Sequence, residues 1–325
     1  MRTLTRGSDL GELNMESQSS RWTQFKASMA PRIRELRFSL RRIKDSPLSL
    51  IGISIIVVFA AIAVLAPVLA SPNPRDSYLI PRDGFSQPPR PPNENHRFGT
   101  TEGQYDIYYG VIWGTRTAFR VSILVVGSAL LIGLVIGSIA GYYGGIIDEI
   151  FMRITDIFLA FPYIILIMAF VTAMGASLDS VLKALIIVWW PSYARLIRAE
   201  VLSVREEDYV EAAKAVGGSD FRVIIHHILP NSIYPVLVMA SLDMGAIVLT
   251  AAAMSFLGLG APVGYADWGQ MISFSRNWIV GPPGQPFAYW YTVVIPGLFI
   301  FFFVLGWSLL GDAFRDILDP KLRRR

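Results

Sequence analysis

The chain has no cysteine, which excludes disulfide staples, thiol nucleophiles and cysteine-ligated metal, and leaves the redox compartment open. Histidine is nearly as scarce, at three residues. His226 and His227 are neighbours in a stretch of helical period and point different ways, which argues against a shared metal ion; His96 stands alone in a loop-like stretch. Charge is thin, with 17% of the residues charged against 53% hydrophobic. A 325-residue chain of that make-up reads as a polytopic membrane protein, not as two soluble domains. No G-x-x-x-x-G-K-[ST] occurs, so the chain has no phosphate-cradling loop; residues 258–264 are glycine-rich but lack the lysine. No nucleophile–base constellation stands out, so no catalytic residue is assigned. No apolar h-region follows the first residues, so no cleaved signal peptide is expected.

What is abundant is long apolar runs. Residues 48–70, 121–140, 157–174, 182–196, 233–256 and 289–310 give six expected membrane helices, the first long enough to cross about 30 Å of hydrocarbon. Pro162 is expected to kink the third. Gly127, Gly133 and Gly137 recur along the second, where small residues let helix backbones approach. The expected outer loops are residues 71–117 and 261–288. Residues 1–47 form an N-terminal arm in which Ile33, Leu36, Leu40 and Ile43 fall on one helical face, with Arg32, Arg34, Arg37, Arg41, Arg42 and Lys44 around the rest. A basic amphipathic helix of this kind suits an anionic inner leaflet, so membrane lipid is an expected partner. With six spans both termini share a side, and that arm together with Arg323, Arg324 and Arg325 places it in the cytosol.

One polar stretch, residues 211–230 within an inner loop of 199–230, interrupts this pattern. It reads as two short helices about a glycine turn: the first from about Glu200, ended by Gly217-Gly218, the second capped by Ser219 and ended by Pro230. A DNA-binding helix-turn-helix would share the glycine, but Arg205-Glu206-Glu207-Asp208 is net acidic where a phosphate-facing element is basic, so no nucleic-acid partner is expected. Asp243, near the middle of the fifth expected span, is the ionisable residue to watch. It is either a contact in a translocation path for a cationic or amine-bearing solute, or a carboxylate held against another helix.

Glu211, Ala212, Ala213, Gly217, Leu229 and Pro230 resemble the EAA cytoplasmic loop of ABC-importer permeases, and His227 to Asn231 resemble its peptide/nickel-type branch. His96, Gly99, Thr100, Asp106, Gly114 and Arg116 fit that branch's segment after the first helix, whereas Thr101, Gln104 and Tyr105 depart from it. Asp148, Met152, Arg153, Asp156, Phe161 and Pro162, then Ser255 to Pro262, and the ending from Leu309 to Arg325, are also similar. The resemblance implies an all-α type I ABC importer permease fold of six transmembrane helices in a prokaryotic plasma membrane, the inner membrane in a Gram-negative cell. It implies a second homologous permease, two ABC ATPase subunits and an external solute-binding protein as partners, with ATP and Mg bound by the ATPases and no cofactor in this chain. Glu211, Ala212, Ala213, Gly217, Ser219, Asp220 and Arg222 would couple to the ATPase, and Asp243 would be the candidate in the path. Peptides are the expected solute, with oligosaccharides or metal complexes on the same scaffold as the alternative. An ion-coupled secondary transporter is the rival class, but it would need an inverted repeat and more intramembrane charge than Asp243 supplies.

Overall fold

The computed structural model describes residues 46–86 and 88–318. The basic segment 32–44 and the terminal arginines lie outside those residues. Of the described residues, 46–50 fall in a first unit and those from Ile51 onward in a second. In the first, the Ser46 hydroxyl accepts the Ser49 N–H at 3.4 Å, at the start of α1 (Pro47–Leu69). Proline is well placed there, since a first-turn N–H has no intrahelical acceptor.

In the second unit the described residues form helices joined by loops that make only isolated β-bridges. After α1 come α2 (Ile107–Tyr143), α3 (Gly145–Leu159), α4 (Tyr163–Met174) and α5 (Leu178–Arg205). A polar hairpin follows, then α9 (Tyr234–Phe256), the short α10 (Trp268–Phe274) and α11 (Tyr291–Leu318). Five of these helices are long and apolar enough to cross a membrane, and α3 with α4 makes a sixth span if the bent pair is taken as one.

The third span is broken where a kink was expected: α3 and α4 meet at 87°. Pro162 lacks the N–H that would continue the ladder and disfavours helical dihedrals at Phe161. α4, with twelve residues, is about 18 Å long and cannot cross the hydrocarbon alone. The second span also differs, since α2 starts at Ile107, inside the expected outer loop, and runs for 37 residues. Asp106 fixes its start by accepting the Tyr109 N–H at 2.7 Å. An apolar window alone misses that first part, because Tyr108, Tyr109 and Trp113 pack there against loop residues: the Trp113 indole donates to the Ala70 carbonyl at 3.0 Å and the Tyr109 hydroxyl to that of Ser77 at 2.8 Å.

α2 and α5 pack most closely. A Cβ on Gly137 would sit 2.5 Å from the Ala194 carbonyl oxygen, and one on Gly141 would sit 2.9 Å from that of Arg198. Gly133 faces Tyr193 in the same seam. Gly127 does not belong to it, having open space where its Cβ would be. A second core gathers Phe59, Trp268, Phe299 and Phe303, with the Trp268 indole donating to the Val111 carbonyl at 3.2 Å.

The two loops expected on the outer side meet over this second core. Ile80 N–H donates to Gly264 at 2.8 Å, Ala266 N–H to Tyr78 at 2.7 Å, and Tyr78 stacks on Tyr265. His96 is not alone in its loop: it is buried, with Nδ1 2.6 Å from Asp106 and Nε2 3.1 Å from Asp83. It thereby ties the loop to the start of α2.

Candidate functional site

The polar hairpin begins with a correction to the expected helix from Glu200. Residues 200–205 are the end of α5, and the hairpin's own first helix is α6 (Asp208–Ala215). Glu207, with φ −78° and ψ 141°, separates them. Glu206, Glu207 and Asp208 oppose the negative end of α5 but favour the positive start of α6, so the chain breaks between the two. Gly217 then takes φ +85°, its N–H donating to Lys214 at 2.9 Å, while the Gly218 N–H reaches Ala213 at 3.1 Å. That is a Schellman-type stop.

α7 (Asp220–Val223), a π turn (Ile224–Ile228) and α8 (Leu229–Ser232) form the return arm. Ser219 has cap-like dihedrals, but its side chain makes no capping bond, contrary to expectation. Pro230 does not end the return arm either. It sits in the first turn of α8, and the π turn just before it, where the Leu229 N–H reaches back to Ile224, loosens the ladder so that a proline ring fits.

The hairpin is held on the membrane helices by its inner side. Val210, Val223 and Ile228 are fully buried, and Ala213 packs against the same core. Asp220, expected to face an ATPase, accepts the Tyr142 hydroxyl at 2.7 Å. The Lys214 ammonium lies 5.0 Å from the centre of the Tyr142 ring. Arg205 donates to the carbonyls of Gly141 and Tyr142, both at 3.1 Å, satisfying acceptors that the end of α2 leaves open. Glu211, Ala212, Gly217, Ser219 and Arg222 are exposed. So are Val216 and Phe221, at 87% and 75%, which puts two large apolar side chains at the hairpin tip. Beside α6 is an open depression of about 580 Å³ lined by Arg205, Glu206, Asp208, Glu211, Ala212 and Lys214.

Asp243 lies apart from the hairpin, tenth of the 23 residues of α9. It is half-buried and accepts the Trp189 indole N–H from α5 at 2.9 Å. Tyr163, first residue of α4, stands edge-on to Trp189 with ring centres 5.7 Å apart. The Tyr193 hydroxyl, close to the same carboxylate, stops short of hydrogen-bond geometry.

Residue-level reasoning did not find Tyr142, Trp189 or Arg205 as members of these groups. It also missed the ion pairs that join α3 to α5, in which Arg198 grips Asp148 with two nitrogens and Arg195 meets Asp156 at 2.5 Å. A signal for the pairs was present: Asp148 and Asp156 are about two turns apart on one helical face, and Arg195 and Arg198 about one turn apart on another.

Residues 133–324, more than half of the chain, match the family described as binding-protein-dependent transport system inner membrane component. The chain belongs to this family. Residues 36–89 match the N-terminal transmembrane domain of oligopeptide transport permease C. Among curated relatives of this ABC permease, a dipeptide transport system permease of Alkalihalophilus pseudofirmus is 42% identical over 88% of the chain and 90% of the relative. A probable D,D-dipeptide transport system permease of Escherichia coli is 38% identical over 86% and 89%. A solved structure of the MetNI methionine ABC transporter aligns with 65% of this chain and 97% of its own, at 17% identity and a TM-score of 0.49. Family membership and the helices together give the permease an all-α, multi-pass, type I importer fold.

Proposed function

We propose that this chain is the transmembrane subunit of an ATP-driven peptide importer, forming half of a path completed by a second, related permease. The observation that carries the reading is the hairpin of α6 and α7, anchored through Tyr142 and Arg205 while Glu211, Ala212, Val216 and Phe221 stay exposed. Two exposed large apolar residues beside a carboxylate suit a protein partner better than water. Two ATPase subunits, which bind the ATP and Mg, dock on the inner loops of the permease pair, one of them on this hairpin, from the cytosol, where both termini also lie. An external binding protein delivers the solute, and the names of the dipeptide-transporting relatives support peptide as that solute. The membrane is the prokaryotic plasma membrane. Because Asp220 and Arg205 fasten the hairpin to the end of α2, closure of the ATPases moves hairpin and helix together as one body.

The test is reconstitution of the complete transporter with Glu211→Ala or Gly217→Val. Gly217 needs a dihedral that a β-branched residue resists, at a cost of about 1 kcal/mol or more. Both variants should insert and leave the binding protein's ligand affinity unchanged, while uptake falls and solute-stimulated ATP hydrolysis is lost. Wild-type uptake by both variants would remove the coupling role from this hairpin.

A further inference from the structure

Two irregular features, the break between α3 and α4 and the ionisable Asp243, meet at one depth in the helical unit. Phe158 at the end of α3 packs edge-on to Trp190, and Tyr163 at the start of α4 to Trp189, so the break at residues 160–162 lies level with the twelfth residue of α5. That position is about 16 Å from the Leu178 end of α5, roughly half of a 30 Å hydrocarbon layer. Asp243, bonded to Trp189, is at the same level. Residues 159–165 are all exposed, and among the described residues no hydrogen bond within the chain reaches the carbonyls of Ala160 and Phe161. Unpaired backbone carbonyls at that depth cannot face acyl chains; they must face water or other protein.

Leu159, Phe161, Ile164 and Ile165 are apolar there, and the polar chemistry beside them has one sense. The Asp243 carboxylate, two peptide carbonyls and the electron-rich rings of Trp189 and Tyr163 attract cations. The nearest arginine along α5, Arg195, is engaged by Asp156. We infer that the break between α3 and α4, with Asp243, Trp189 and Tyr163, is a hydrated ammonium-binding site on the path of the solute. An alkyl-ammonium fits this set better than a guanidinium, whose planar fork prefers a bidentate carboxylate, and Asp243 already spends Oδ2 on the indole. A peptide carries such a group at its N-terminus, and a lysine side chain supplies the same chemistry. The inference rests on the proposed permease role for the identity of the solute, but the site itself is testable without ATP hydrolysis.

The absence of cysteine makes the native chain a clean background for thiol labelling. Ala160→Cys, in the assembled complex in vesicles, should react with both a cationic and an anionic water-soluble methanethiosulfonate. Leu131→Cys, on an apolar outer face, should not. The cationic reagent should react about five to ten times faster than the anionic one, as expected for a carboxylate within a Debye length. Asp243→Asn should abolish that preference and Asp243→Glu should retain it, which separates charge from any loss of folding. Dialanine should slow labelling and N-acetyl-dialanine should not; protection by N-acetyl-dialanyl-lysine would assign the site to side-chain ammonium groups as well. An unreactive Ala160→Cys, equal rates for the two reagents, or equal protection by free and acetylated dialanine would each overturn the site. None of those results bears on whether the hairpin couples to ATP hydrolysis, and loss of uptake in the hairpin variants leaves the labelling pattern unaffected.

Discussion

The Tyr142 hydroxyl donates to the Asp220 carboxylate at 2.7 Å, joining residues 78 positions apart and fixing the return arm of the hairpin to the end of α2. Asp220 therefore serves the attachment of the hairpin, while Glu211, Ala212, Val216 and Phe221 are exposed and make no such attachment. Removing the hydroxyl in Tyr142→Phe should cost about 0.5–1.5 kcal/mol locally, because exposed Asp220 can recover its solvation. Hydrogen exchange should quicken across residues 208–228 in Tyr142→Phe and in Asp220→Ala, with α5 and α9 unchanged. The double variant should exchange no faster than the worse single one. Additive effects would mean that the two side chains act through different partners.

The seam between α2 and α5 makes a second expectation. At Gly137 a Cβ would press on the Ala194 carbonyl and on Ile197, both fixed parts of the facing helix, so Gly137→Ala has to push the helices apart. Overpacking of this kind costs about 1–3 kcal/mol. Gly127→Ala, where a Cβ meets nothing within 4 Å, should be neutral or mildly stabilising, since alanine is the better helix former. Thermal unfolding in detergent should show a lower midpoint for Gly137→Ala and none for Gly127→Ala. Equal losses would place both glycines in one interface.

The six apolar runs were visible in the sequence because hydrophobic length reports directly on membrane crossing, and the glycine turn was visible because only glycine adopts φ +85° without strain. The bend at Pro162 was foreseen only as a kink: proline marks where a helix is weakened, whereas its angle depends on what Phe158 and Tyr163 pack against on α5. The start of α2 was hidden because aromatic and polar residues there pack on a loop and so dilute the apolar signal. Asp243 could be singled out by its cost in a membrane, but its partner Trp189 lies 54 residues away. His96 reads as solitary for the same reason, since Asp83 and Asp106 approach it only after the loop has folded. Pro230 reads as a terminator because a local rule cannot anticipate the π turn that accommodates it.

Asp267 carries a pH dependence whose sign can be worked out. It lies in the loop before α10, 7% exposed, and caps that helix by accepting the Gln270 N–H at 2.9 Å. Burial pushes its carboxyl up to about 6, against the opposing pull of that hydrogen bond and of contacts with Ser255 and Gly269. Between about pH 4 and pH 6 the folded chain therefore holds a proton here that the unfolded chain has released. Stability from this group is fully present below the unfolded value and is lost as pH rises through the folded one, a change of order 3 kcal/mol. Asp267→Asn keeps a cap acceptor without the charge, and asparagine caps as well as aspartate does. Relative to wild type, the variant's thermal midpoint should therefore be similar at pH 4 and higher at pH 7.5. Paired melts across that range, reported as the difference between the two proteins, cancel titrations elsewhere in the chain. A variant that instead falls below wild type as pH rises would mean that Asp267 is held as a stabilised carboxylate, with its hydrogen bonds outweighing burial.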